Sequence, residues 1–159
     1  MKIKLILVAV TIAAAPFIAR GADTNTKTQS PMTNSPSIVN VRYMIDDVDA
    51  AVAFYTKHLG FTLEQDSAPA FASVTRGNLR LLLSGEKSSG RRPMKDGTKP
   101  VPGGWNRISL WVADLESEAT RLRAAGVKFR RDDIVTGPGG SQIWIYDPSG
   151  NLIELVQLK

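Results

Sequence analysis

No cysteine occurs among the 159 residues, and there is a single histidine, His58. The first absence excludes a disulfide framework, a thiolate zinc site and a thiol nucleophile together. The second excludes any centre that needs several imidazoles. Strong net charge is also lacking. The formal total is +5, but Lys2, Lys4 and Arg20 lie in the first twenty-odd residues with no acid among them, so the remainder carries only +2. A domain so nearly neutral has no electrostatic footprint for nucleic acid, and none is expected as a partner.

What is present begins with a basic start and a short apolar run, Leu5 to Ala19, interrupted by Thr11 and Pro16. That order describes a secretory signal over residues 1–21, with Ala19 and Gly21 at the −3 and −1 positions of a cleavage site before Ala22. The run is shorter than the ~20 apolar residues that span a bilayer comfortably. The expectation is therefore export to the periplasm, with membrane attachment only if the signal stays uncleaved. No cysteine follows the run to carry a lipid. Residues 22–37 are rich in Thr, Asn, Ser, Gln and Pro and cannot repay their ordering by burial, so they read as a disordered spacer.

From residue 38 onward the chain repeats itself. Val39, Val41, Tyr43 and Ile45 alternate with polar residues, as do Ile108, Leu110 and Val112, which is the period of a half-buried strand. Each strand runs into an acid that can cap a helix: Asp46 or Asp47 first, Asp114 second. Val48, Ala51, Val52, Tyr55 and Leu59 then share one helix face, and Leu115, Ala119, Leu122 and Ala125 share the other. Gly60 and Gly126 supply the left-handed residue that ends each helix. Further strand patterns follow at 61–65, 70–75 and 79–83, and at 127–130, 141–146 and 152–157. Strand and helix starts align at a constant offset of 67 residues, Asn40 with Arg107 and Asp47 with Asp114. The predicted unit is β-α-β-β-β, used twice: 38–84 and 105–158. Residues 85–104, rich in Gly, Pro, Ser and basic side chains, read as a crossover linker or as a flap over a cavity.

Several residues carry a family resemblance. They are Asp47-Val48-Asp49 leading to Phe54-Tyr55 and Leu59-Gly60-Phe61, and Asp114-Leu115 leading to Ala125-Gly126-Val127. The closing signature is Asp147-Pro148-Ser149-Gly150-Asn151 with Leu152-Ile153-Glu154-Leu155. In this order they resemble the vicinal oxygen chelate superfamily of glyoxalase I, extradiol dioxygenases and bleomycin-resistance proteins. The resemblance covers residues 38–158. It implies an α+β fold in which two βαβββ modules form a cup-shaped mixed sheet with helices outside. It also implies, in metal-dependent members, one ligand on the first and one on the last strand of each unit.

Those positions here are Asn40, Arg107, Glu154 and, counted from the repeated Gly-Asn, Leu81. Only Glu154 is a good ligand, and a fixed arginine cation repels a divalent one. No metal and no cofactor are therefore expected. Arg107 is expected instead to occupy the cation's place, its fork meeting the Glu154 carboxylate bidentately.

Strand alternation sends Asn40, Arg42 and Met44 into the cup, with Trp105, Arg107, Ser109 and Trp111, and then Gln142, Trp144 and Tyr146. Three tryptophans beside arginines suit a planar, anionic small molecule. The candidate ligand-binding residues are Asn40, Arg42, Trp105, Arg107, Trp111, Trp144 and Tyr146. Three readings follow. One is a metal-free binding protein of the antibiotic-resistance kind. A second is a glyoxalase-type lyase or isomerase with Glu154 as base and Arg107 stabilising an oxyanion. A third is a structural or partner-binding domain. Missing ligands count against iron-dependent dioxygenase chemistry. A monomer or a homodimer is compatible with the pattern, and His58 reads as a solvated helix-terminal side chain.

Overall fold

The computed structural model describes residues 37–159. The expected signal at 1–21 and all but the last residue of the spacer lie outside the described residues. Within the described part the predicted unit occurs twice, and the chain is α+β. The first module runs β1 (Val39–Met44), α1 (Val48–Leu59), β2 (Thr62–Ser67), β3 (Phe71–Arg76) and β4 (Leu79–Ser84). The second runs β5 (Arg107–Trp111), α2 (Leu115–Ala124), β6 (Val135–Gly137), β7 (Gly140–Tyr146) and β8 (Leu152–Leu158). Each makes a four-stranded mixed sheet, ordered β1-β4-β3-β2 and β5-β8-β7-β6. The first strand lies parallel to the last, and the remaining pairs are antiparallel.

The local causes are those the sequence offers. Asp47 and Asp114 accept from the backbone N–H three residues on, Ala50 and Ser117, at 2.9 and 3.0 Å. Each thereby satisfies one of the amides that a helix start leaves open. Gly60 takes φ +67° and closes α1 with its N–H on the Tyr55 carbonyl. One expected strand is displaced: residues 127–130 contribute a single bridge, Phe129 to Ile145, and the edge strand is Val135–Gly137 instead. The predicted alternation survives there, since Val127 and Phe129 pack on the core, yet the segment makes no ladder.

Both helices and the inner faces of both sheets share one apolar core, which includes Ile45, Tyr55, Leu81, Leu83, Leu110, Leu122, Ile143 and Ile153. The modules are joined by polar contacts through this helix-covered side. The Tyr43 hydroxyl accepts from the Ile108 N–H at 2.9 Å and donates to the Leu152 carbonyl at 3.0 Å, bridging β5 and β8. The Tyr55 hydroxyl donates to Asp147 Oδ2 at 3.0 Å. Asp147 Oδ1 accepts from the Ser149 and Asn151 amides, and Asn151 Nδ2 donates both to Asp147 Oδ2 and to the Met44 carbonyl. The β7–β8 turn is thus knotted into the first module. The linker is strapped as well: Arg91 Nη1 donates to the Ile45 carbonyl at 2.9 Å and to Asp46 at 3.1 Å, beside a 3-10 turn at Ser89–Arg91.

Burial pushes the Tyr43 hydroxyl up to about 12 from 10.0, and burial with the Asp147 carboxylate pushes Tyr55 well above its ordinary value. A group whose pKa rises on folding contributes fully below its unfolded pKa and loses that contribution as pH climbs through the folded one. Stability should therefore fall between about pH 10 and 12, and an alkaline absorbance titration should show Tyr43 and Tyr55 ionising late. Tyr43→Phe orphans one buried donor and one buried acceptor, about 1–3 kcal/mol each. Its melting temperature should drop clearly, and one of the late ionisations should vanish.

Candidate functional site

Each sheet buries one face under its helix and leaves the other open. The opening of the second module holds most of the candidate residues. Register sets them in rows across β5, β8 and β7: Arg107, Leu152 and Tyr146, then Ser109, Glu154 and Trp144, then Trp111, Val156 and Gln142. Trp105 and Arg130 approach from the flanking segments. The Arg107 guanidinium carbon lies 4.5 Å from the Trp144 ring centre, and that of Arg130 lies 4.3 Å from the Trp105 ring centre. The two indoles meet edge to face, with centroids 6.5 Å apart. Arg130 also donates to the Tyr146 hydroxyl. Arg107, Trp144, Trp105, Arg130 and Tyr146 form one connected run of two cations and three rings. Such contacts are worth about 0.5–1 kcal/mol each when exposed and ~2 kcal/mol or more when desolvated.

Glu154 closes this run at one end. Its Oε1 accepts from Arg107 Nη2 at 3.1 Å, Arg107 Nε at 3.3 Å and the Trp144 indole N–H at 2.9 Å. The side chains of Glu154 and Arg107 are 14% and 29% exposed, so the pair is screened far less than a surface ion pair. The contact differs from the expected two-oxygen fork: both guanidinium nitrogens end on the same oxygen. The indole approaches from β7 on that side, and Oε2 is left out of the contact.

Other expectations divide. Arg107, Trp144, Tyr146 and Trp105 come together. Trp111 is on the expected face but is 68% exposed and makes no ring contact with the other two tryptophans among the described residues. Asn40 and Arg42 lie on β1 in the first module's sheet, and neither side chain hydrogen-bonds to the cluster among the described residues. Arg42 is spent locally, donating to Ser84 Oγ beneath Gly90 of the linker. A Cβ on Gly90 would lie 3.0 Å from Arg42 Nη1 and 3.1 Å from Ser84 Oγ, so a side chain there would push the arginine's tip aside.

Leu81 is a correction. It is fully buried in the core, on the helix side of β4. Parallel pairing aligns Ser109 with Glu154 and Arg42 with Leu82, so Leu82 is the counterpart of Glu154. Counting from Gly-Asn fails because the β3–β4 turn has two residues and the β7–β8 turn five. One residue of slip reverses the face. Arg130 was missed. The alternation of Val127 and Phe129 with Lys128 and Arg130 was its only signal, and it lay in a segment read solely as strand.

The residues at the family's ligand positions do not fit a divalent cation. Of Asn40, Arg107, Leu82 and Glu154 only Glu154 is a strong oxygen donor, and its Oε1 is already paired with the Arg107 guanidinium. Among the described residues no three His, Cys, Asp or Glu side chains gather as a cation site.

A sequence profile described as the Glyoxalase/Bleomycin resistance protein/Dioxygenase superfamily matches residues 37–155. The chain belongs to that superfamily. Its sequence is 31% identical over 129 residues to the uncharacterized protein YurT of Bacillus subtilis (strain 168), covering 76% of this chain and 98% of YurT. It is 30% identical over 145 residues to a 2-epi-5-epi-valiolone epimerase of Actinomyces sp, covering 77% and 79%. Among solved structures, the antibiotic binding protein TnmS3 from Streptomyces sp. CB03234 superposes with a TM-score of 0.60 at 25% identity, covering 80% of this chain and 99% of that one. The superfamily thus includes a protein that binds an antibiotic and one that carries an epimerase's name. With Arg107 in place, chelation should leave the melting temperature unchanged, and elemental analysis of purified protein should find far less than one divalent metal per chain.

Proposed function

We propose that this is an exported, metal-independent binding protein that takes a planar, anionic aromatic compound on the open face of its second module. The observation that carries the reading is the connected run of Arg107, Trp144, Trp105 and Arg130, in which each guanidinium lies over one indole. Two guanidiniums held against two indoles set edge to face offer apolar ring surface and fixed donors for an anion in one place. Resemblance to an antibiotic binding protein supports the same reading. Saturable quenching of tryptophan fluorescence by aromatic acids, equal with and without added divalent metal, is the expected result. Arg107→Gln should weaken the anionic compounds about tenfold, as loss of one charge-assisted contact implies. Unchanged affinity with a lowered melting temperature would reduce Arg107 to an architectural role.

The second reading is an isomerase or epimerase in which Glu154 accepts a proton from carbon beside a carbonyl. The relative named an epimerase favours it. On this reading Oε1 is anchored by Arg107 and Trp144, and Oε2 is the oxygen that meets substrate. Exchange of substrate hydrogen for deuterium, abolished by Glu154→Gln, would distinguish it from sequestration.

Export rests on the basic and apolar residues 1–21, and the periplasm is the proposed compartment. Among the described residues no helix is long and apolar enough to cross a membrane. Mass spectrometry of the protein expressed with its own first segment should give a mature chain beginning at Ala22; a full-length product in the membrane fraction would contradict cleavage.

A further inference from the structure

Beside the Arg–Trp stack, on the other side of Glu154, lies a hollow of about 380 Å³ that the reading above does not use. Its polar lining is Ser109, Gln142 and Glu154, from three adjacent strands, with Ser141, whose hydroxyl is paired with Thr136; Val135 and Val156 add apolar walls. The β6–β7 hairpin closes one side with Gly137, Gly139 and Gly140. Neither the Ser109 hydroxyl nor the Gln142 amide is engaged in a side-chain hydrogen bond within the described residues. The Glu154 donors all sit on Oε1, leaving Oε2 for this side. No cationic side chain lines the hollow. Its chemistry therefore differs from that of the stack: one acceptor-only carboxylate oxygen, one hydroxyl and one amide, each able to meet a neutral donor or acceptor.

We infer that the hollow is a second half-site, for a hydroxylated, uncharged ring joined to the aromatic anion held by the stack. The inference rests on the proposed binding role and deepens it, naming the ligand as bipartite and glycoside-like. Vicinal hydroxyls present alternating donors and acceptors, which Oε2, Ser109 and Gln142 can answer together. A carbohydrate-sized ring also needs close approach to a wall, which glycines permit. A Cβ placed at Gly137 would meet nothing within 4 Å, so a side chain there would enter open space without strain. Strand alternation puts it on the face of Val135 and Gln142, in the hollow.

The test compares salicylate with salicylate β-D-glucoside by titration calorimetry on the full chain. The glucoside should bind about tenfold tighter, the equivalent of one or two added neutral hydrogen bonds. Gly137→Val, and separately the pair Ser109→Ala with Gln142→Leu, should erase that advantage while leaving salicylate affinity and melting temperature unaltered. Arg130→Gln should weaken both compounds equally. Equal affinities in the unmodified protein, or an advantage that persists in both hollow variants, overturns the half-site and leaves the stack reading intact. Failure of salicylate and its glucoside alike to bind removes both.

Discussion

The buried carboxylate of Asp147 is the constraint on which the arrangement of the two modules depends. It is 3% exposed and receives four hydrogen bonds, from the Tyr55 hydroxyl, the Asn151 side chain and the amides of Ser149 and Asn151. Burial raises its pKa, and those donors oppose the rise. A carboxylate in this position is costly unless its lone pairs are answered. Answering them fixes the β7–β8 turn against α1, while Asn151 carries the tie on to β1 and to the linker at Gly103. The open face of the second module has its shape because this turn sets where β8 begins.

Much of the fold was legible because a βαβββ unit repeats its period. Alternation, two capping acids and two helix-ending glycines recur at one offset, and the strands and helices follow them. Contacts between the units were not legible. Tyr43 reads as an ordinary inward residue of a strand, and nothing in its neighbourhood says that its hydroxyl bridges β5 and β8 in the other module. Asp147 reads as turn chemistry, which it is, but its tie to Tyr55 spans 92 residues. Leu81 shows the limit of counting. Two turns with the same dipeptide differ in length, and the pleat converts a single residue of error into the opposite face.

The candidate site was legible in part for the same reason. Alternation placed Arg107, Trp144 and Tyr146 on the face turned from the helix, and the family signature added Glu154; the register sets all four on neighbouring strands. It also sent Asn40 and Arg42 inward, and they stand on the first module's sheet; sequence says which side of a strand a residue takes and not which sheets confront each other. Trp105 and Arg130 lie outside regular strands, where no period guides the reading. Their contribution comes from packing: a guanidinium lies flat on an indole because it is weakly hydrated and planar.

The two open faces solve one electrostatic problem twice. On the first, Glu64 of β2 pairs with Arg80 of β4 at 2.5 Å and also accepts from Ser73 of the strand between them. On the second, Glu154 of β8 pairs with Arg107 of β5 and accepts from Trp144. In both, an acid on a half-covered sheet is matched by an arginine from another strand. The difference lies in what surrounds the pair. Leu82 and Phe71 flank the first, whereas indoles and a second cation, Arg130, surround the second. Charge pairing alone therefore does not make a site of either face. The rings do, because a guanidinium stacked on an indole keeps donors at its edge while the pair presents an apolar plane, and only the second module combines the two.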